Sequence, residues 1–171
     1  MVDLDILILG SLLAGPAHGY QLKQSLEASF GKRYINLSNS SLYPRLSKLE
    51  SGGYIEGKRE QQEKVPDKKI YQVTPAGIER LKVLVAIPIG PRETEFDFRC
   101  KAVFFGLITP EERRRVVEPL YHEKLEELKE AQEKCVKFSQ YMDKYSLAVL
   151  DTGIKELGMA AEFYKKLIEM G

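Results

Sequence analysis

Tryptophan is absent, and histidine and cysteine occur only twice each, as His18, His122, Cys100 and Cys135. Neither histidine has a ligand neighbour at the usual spacing, which argues against a zinc site. No cysteine–histidine pairing, glycine-rich phosphate loop or Gly-x-Ser-x-Gly turn occurs, which lowers the case for an enzyme, and no cofactor is expected. No run of about 18 apolar residues is present, so no membrane span is expected. The first residues carry Asp3 and Asp5 and no basic stretch before the apolar run, unlike a secretory signal. Two cysteines suit reduced thiols in a cytoplasmic protein better than a disulfide.

What is present is a chain of 171 residues, 43% hydrophobic, enough for one domain or two small ones. The net charge of +1 is uninformative as a total, but its distribution is not. Residues 1–92 carry 13 Lys/Arg against 9 Asp/Glu, a net of +4, whereas 93–171 carry 13 against 16, a net of −3. The basic excess lies where phosphates would be met.

Leu4, Ile6 to Leu9, Leu12 and Leu13 predict a first apolar helix, stopped by Gly15-Pro16. A second helix starts around Ala17-His18-Gly19-Tyr20 and turns Leu22, Leu26 and Phe30 inward. Gly31 closes it. Tyr20 is expected in the core, and His18 is expected to cap this helix or touch a phosphate.

Ser38 to Gly77 carries most of the meaning. Leu42, Leu46 and Leu49 share one helical face. Ser40, Pro44, Ser47, Lys48 and Ser51 share the other, with little bulk to keep it out of a nucleic-acid groove. Because proline fits best in a first turn, the N-cap is expected among Asn39, Ser40 and Ser41, with Ser41 the best fit. Two strands follow, Tyr54-Ile55-Glu56 and Ile70-Tyr71-Gln72-Val73, joined by a charged loop. Thr74-Pro75 predicts a cap and first residue of a fourth helix, which ends before Pro88 and Pro91. Ile87 to Glu95 is expected to be an inter-domain linker.

The remainder is helical. Thr109-Pro110-Glu111-Glu112 is a helix start, and a long charged helix is expected from there to about Tyr145, bent at Pro119. The final helix repeats Leu147, Leu150, Ile154, Leu157, Ala161, Tyr164 and Ile168 at spacings of three and four. That seam needs cover from the long helix, from a second copy of the chain, or from both.

The expected fold is mainly α: a winged helix-turn-helix over residues 1–88 with a small two-stranded wing, then an all-helical dimerisation domain over 89–171. The candidate DNA-contacting residues are His18, Asn39, Ser40, Ser41, Tyr43, Pro44 and Lys48, with Lys68 and Lys69 on the wing. Lys58, Arg59 and Lys64 rank lower there, because Glu60 and Glu63 sit among them. Phe96, Phe98, Phe104 and Phe105 fit a helical core better than a ligand pocket. Cys100 has no sequence sign of a lowered thiol pKa.

Three stretches resemble the PadR family of transcriptional regulators. Leu12-Leu13-Ala14-Gly15-Pro16-Ala17-His18-Gly19-Tyr20-Gln21-Leu22 is similar to its opening. Ser41-Leu42-Tyr43-Pro44-Arg45-Leu46, with Leu49-Glu50 and Gly53-Tyr54-Ile55, is similar to its third helix. Lys69-Ile70-Tyr71-Gln72-Val73-Thr74-Pro75-Ala76-Gly77 is similar to its wing strand and following helix. The resemblance implies a homodimer, usually a repressor, on a pseudo-palindromic operator. The tail is similar in length and helical layout to the family's longer-tailed branch. Asp67-Lys68-Lys69 stands where family members often carry arginines, which favours affinity over base readout.

The expected partners are therefore double-stranded DNA, a second copy of the chain and a small-molecule effector, with no membrane. Two rival readings are a protein–protein adaptor that ignores duplexes and a small enzyme housed in the tail. The second needs an ionisable cluster where the periodic positions are nearly all apolar.

Overall fold

The structure is a computed structural model that describes residues 3–60 and 68–170, with only the backbone of Glu60 and Lys68. It falls into two compact units that meet in sequence between Ile108 and Thr109.

The first unit opens with α1 (Leu4–Leu12), capped by the Asp3 carboxylate and buried at Ile6 to Gly10 and at Leu12. A two-residue strand, β1 (Ala17–His18), precedes α2 (Gly19–Phe30) and α3 (Asn39–Ser51). Then come β2 (Ile55–Glu60), β3 (Lys68–Val73), α4 (Pro75–Ala86) and α5 (Glu95–Ala102). The sheet is antiparallel in the order β1-β3-β2, so the expected two-stranded wing gains a third, short strand. Leu7, Leu12, Leu22, Leu26, Leu42, Leu46, Ile55, Leu81 and Val85 fill the core, with Tyr71 of β3 and Phe98 and Cys100 of α5 joining them.

The fourth helix starts as its sequence predicts. Thr74 accepts from Gly77 N–H at 3.0 Å and donates to the Gly53 carbonyl at 2.7 Å. A Cβ on Gly77 would lie 2.0 Å from the Tyr54 carbonyl oxygen, so only glycine lets the helix start meet the backbone leading into β2 so closely.

The stretch taken for a linker is tied down. Lys101 is buried in α5 and donates from Nζ to the carbonyl of Ile87, the C-cap of α4, at 2.8 Å. The ammonium thus meets a carbonyl that the helix leaves without a partner, at the end where positive charge is favoured. Burial lowers the Lys101 pKa, and Glu93, 3.9 Å away, opposes the shift. Glu93 also accepts from Gly90 N–H at 2.7 Å. Phe98 and Phe105 are buried edge to face, and Cys100 joins Leu7, Leu26, Ile35 and Leu37. A Cβ on Gly10 would fall 2.1 Å from the Phe104 ring, so α1 provides a socket for it. Residues 89–108 therefore pack within the first unit, and the contact boundary lies later than the one expected after residue 88.

The second unit is a helical hairpin, α6 (Pro110–Phe138) and α7 (Lys144–Glu169), joined by a 3-10 turn at Ser139–Tyr141. Thr109 and Glu112 form a reciprocal capping box. Pro119 lies inside α6, but the long helix stops at Phe138 and does not reach Tyr145. The Asp143 carboxylate starts α7 instead, accepting from the N–H groups of Tyr145 at 2.8 Å and Ser146 at 3.1 Å. Among the described residues, no helix is long and apolar enough to cross a membrane.

Candidate nucleic-acid interface

Helix α3 begins earlier than its proline suggested. Ser38, not Ser41, is the N-cap, and its Oγ accepts from Ser41 N–H at 3.1 Å. Ser41 Oγ returns a hydrogen bond to the Ser38 carbonyl at 2.9 Å, and the Ser38 and Ser40 hydroxyls are 2.8 Å apart. Pro44 therefore sits one turn inside the helix. The backbone bond it cannot make is to the Ser40 carbonyl, and both residues are exposed, so water can serve that oxygen.

At 100° per residue, buried Leu42, Leu46 and Leu49 define the back of α3. Ser40, Pro44, Ser47 and Ser51 stand opposite, with Ser41 and Lys48 on one flank and Asn39 and Tyr43 on the other, all exposed. This outward face is small, polar and uncluttered.

Three contacts fix its orientation. Arg45 Nε lies 3.0 Å from Asp5 Oδ1, joining α3 to α1. Burial raises the Asp5 pKa, and Arg45 opposes that rise. The Tyr43 ring lies over Gly19, where a Cβ would come within 2.9 Å of it. At the far end, Gly53 takes a φ of 73°, Tyr54 N–H reaches the Leu49 carbonyl and Gly53 N–H the Glu50 carbonyl, both at 2.9 Å. This Schellman motif ends the helix and turns the chain into β2.

The wing meets α3 through an ion pair: Lys69 Nζ lies 2.6 Å from Glu50 Oε2. Gly57 makes room for it, since a Cβ there would fall 2.2 Å from Lys69 Cε. The register places Arg59 opposite Lys69 on the same sheet face, and Lys58 opposite Ile70 on the other. Arg59 and Lys58 are exposed, and neither has an ion-pair partner among the described residues. His18 is the N-cap residue of α2. Its N–H donates to Gln21 Oε1 at 2.9 Å, and its ring Nδ1 lies 3.2 Å from the Lys69 carbonyl. Tyr20, expected in the core, is instead exposed and stacks on the His18 ring at 5.8 Å.

The sequence profile described as "Transcriptional regulator PadR-like family" matches residues 8–83, from within α1 to within α4. Residues 8–83 of the chain are thus similar to the PadR-like family. No curated protein sequence matches the chain. Among solved structures, it is similar to Bacillus subtilis PadR in complex with operator DNA. There it is 22% identical, with 99% of this chain and 98% of that one covered and a TM-score of 0.47. It is also similar to smu.1604c from Streptococcus mutans UA159, at 20% identity over 97% and 98% of the two chains, TM-score 0.48. A PadR family transcriptional regulator from Eggerthella lenta DSM 2243 is 29% identical over 48% of this chain and 69% of its own, TM-score 0.42.

The site residues named from sequence fall into three groups. Asn39, Ser40, Ser41, Tyr43, Pro44 and Lys48 share the exposed part of α3. Lys69 and His18 are engaged with Glu50 and with the wing backbone. The Lys68 side chain and residues 61–67, Lys64 included, lie outside the described residues. Sequence reasoning ranked Arg59 low, and only the strand register sets it on the α3 side of the wing.

On α7, Ala161 and Tyr164 are buried, whereas Leu147, Leu150, Ile154, Leu157 and Ile168 are half-buried. A second row, Tyr145, Val149 and Met159, is exposed. Burial raises the Cys100 thiol pKa to about 11, with the Asp97 charge adding to it, which leaves the thiol protonated and unreactive at neutral pH. Among the described residues, no group of three or more His, Cys, Asp or Glu side chains could hold a metal ion.

Proposed function

We propose that the first unit binds double-stranded DNA by laying the exposed face of α3 in a major groove, with the wing along the neighbouring backbone. The observation that carries this reading is the polar, low-relief face of α3, held at three points and flanked by a basic hairpin. Asn39, Ser40, Ser41 and Tyr43 meet base edges or the nearest phosphates, and Pro44 keeps the approach flat. Lys48, Arg59, Lys58 and Lys68 supply phosphate contacts. Lys69 serves as a clamp between wing and helix more than as a free cation, because Glu50 already neutralises it.

The match of residues 8–83 to a family of transcriptional regulators supports a gene-regulatory role, with the protein acting in the cytoplasm. We further propose a homodimeric repressor on a pseudo-palindromic operator, the second unit joining the copies. Two α3 helices then meet successive grooves on one side of the duplex. An effector that binds one spacing of these helices better than another shifts the DNA-competent population.

The test is fluorescence anisotropy across a salt series, using the DNA upstream of the protein's own gene and a random duplex. The expected result is a linear fall of log affinity with log salt, with Lys48→Ala lowering the slope by about one. Failure to bind either duplex at low salt overturns the reading.

A further inference from the structure

Arg113 lies in the first turns of α6, on a buried stripe with Val116 and Val117, and is only 7% exposed. Its Nε and Nη2 atoms are closed to solvent, and neither has a hydrogen-bond partner among the described residues. Folded proteins rarely leave buried charged donors unmet, because the group has given up its water for nothing. Neighbouring charges on the same helix do not share this condition: Lys124 pairs with Glu127 and Lys134 with Glu130. The nearby Glu112 carboxylate is already committed to Thr109, accepting from its N–H at 2.9 Å and from its hydroxyl at 3.1 Å.

The identity of the two orphaned atoms narrows what could satisfy them. Nε–H and one N–H of Nη2 lie in the guanidinium plane side by side, parallel, on the edge that grips both oxygens of a carboxylate or phosphate. A hydroxyl or a single carbonyl would fill one position and leave the other empty. The start of a 29-residue helix adds partial positive charge at the same place.

We infer that Arg113 is a receptor for a planar oxyanion, a carboxylate foremost, that this chain does not itself supply. Both nitrogens are shielded, so the anion reaches them only as the side chain turns or the first turn of α6 shifts. Occupancy and a local rearrangement are thereby linked. The inference does not rest on DNA binding and stands or falls apart from it.

The experiment follows the side-chain Nε–H signal of Arg113 in the full-length, nitrogen-15-labelled protein, assigned by its loss in Arg113→Lys. Acetate is the probe, acetamide the uncharged control, and sodium chloride holds ionic strength constant. The expected result is a saturable displacement of that signal by acetate and none by acetamide. Acetate should also raise the melting temperature of wild type more than that of Arg113→Lys, which keeps the charge and loses the fork. A signal that ignores acetate but moves on dilution of the protein supports the same fork with the carboxylate coming from a second copy of the chain. A signal unmoved by acetate and by dilution overturns the inference, as does equal stabilisation of both proteins. Should Arg113→Lys fail to fold, the wild-type titration still decides, with the signal assigned by through-bond correlation.

Discussion

Gly57 shows how one missing Cβ can organise an interface. It opens the space in which Lys69 crosses from the wing to Glu50, and that pair takes a positive charge out of the supply for phosphate. Lys69→Ala and Arg59→Ala should therefore differ in kind. Loss of Lys69 removes a partly exposed pair worth up to about 1 kcal/mol of stability and changes the salt slope of DNA binding little. Loss of Arg59 leaves stability unchanged within about 0.5 kcal/mol and lowers the salt slope by about one. Denaturant titration and the anisotropy series read the two effects separately, and equal salt slopes for both variants would contradict the assignment. Cysteine chemistry provides a second check. Burial holds the Cys100 thiol protonated, so a thiol reagent at neutral pH should modify Cys100 only at the rate at which the protein opens, read by mass mapping in native buffer and in denaturant. Neither residue role was legible in the sequence. Glu50 and Lys69 are brought together by strand register, and the acids around Arg59 concealed that it shares the Lys69 face of the wing with no ion-pair partner among the described residues.

Elements show why some of the fold was legible and some was not. Signals carried within three or four residues were readable: the Thr74 cap with Pro75, the Thr109 capping box, and the glycine that closes α2. Pro44 misled because a general preference for the first turn met a local exception, a serine cluster whose hydroxyls cap the helix one turn upstream. Ser38→Ala should accordingly cost about 1 kcal/mol, whereas Ser47→Ala on the exposed face should cost almost nothing. The stretch before α5 misled for a different reason. Its prolines suggest a linker, while the Lys101 ammonium that fastens it comes from a later turn of chain. That segment also contributes a pH dependence. Burial alone would raise the Asp97 pKa, but hydrogen bonds from the Thr94 N–H and hydroxyl hold it below 3.8 in the folded state. A lowered folded pKa means stability that is complete above the unfolded value and is lost as pH falls through the folded one. Asp97→Asn should thus be less stable than wild type at neutral pH, with the gap closing below about pH 4. Melting curves from pH 7 to pH 2 test this, and a gap that stays constant would assign the loss to packing.

At the scale of the whole molecule, the second unit poses the remaining question of burial. Two helices in a hairpin can each cover one side of the other, and no more. The seam predicted from spacing does turn toward cover, yet only Ala161 and Tyr164 are buried in the single chain. Leu147, Leu150, Ile154, Leu157 and Ile168 keep part of their surface open, and Tyr145, Val149 and Met159 lie exposed on the opposite side of the helix. Apolar surface of this extent on a small domain usually marks an interface. The periodicity could not separate residues that face α6 from residues that face another molecule, because both sets recur at helical spacing on one helix. If a second copy covers the open row, Val149→Lys combined with Met159→Lys should yield monomers that remain folded, since neither side chain is buried within its own chain. Sedimentation velocity would show the smaller species, and circular dichroism the retained helix. DNA affinity should fall by far more than the lost contacts explain, because each half-site must then be bound separately, without the effective concentration that joins the two α3 helices. Added lysines favour phosphate, so a drop in affinity cannot come from their charge. A double variant that sediments as wild type places the partner surface elsewhere on the chain.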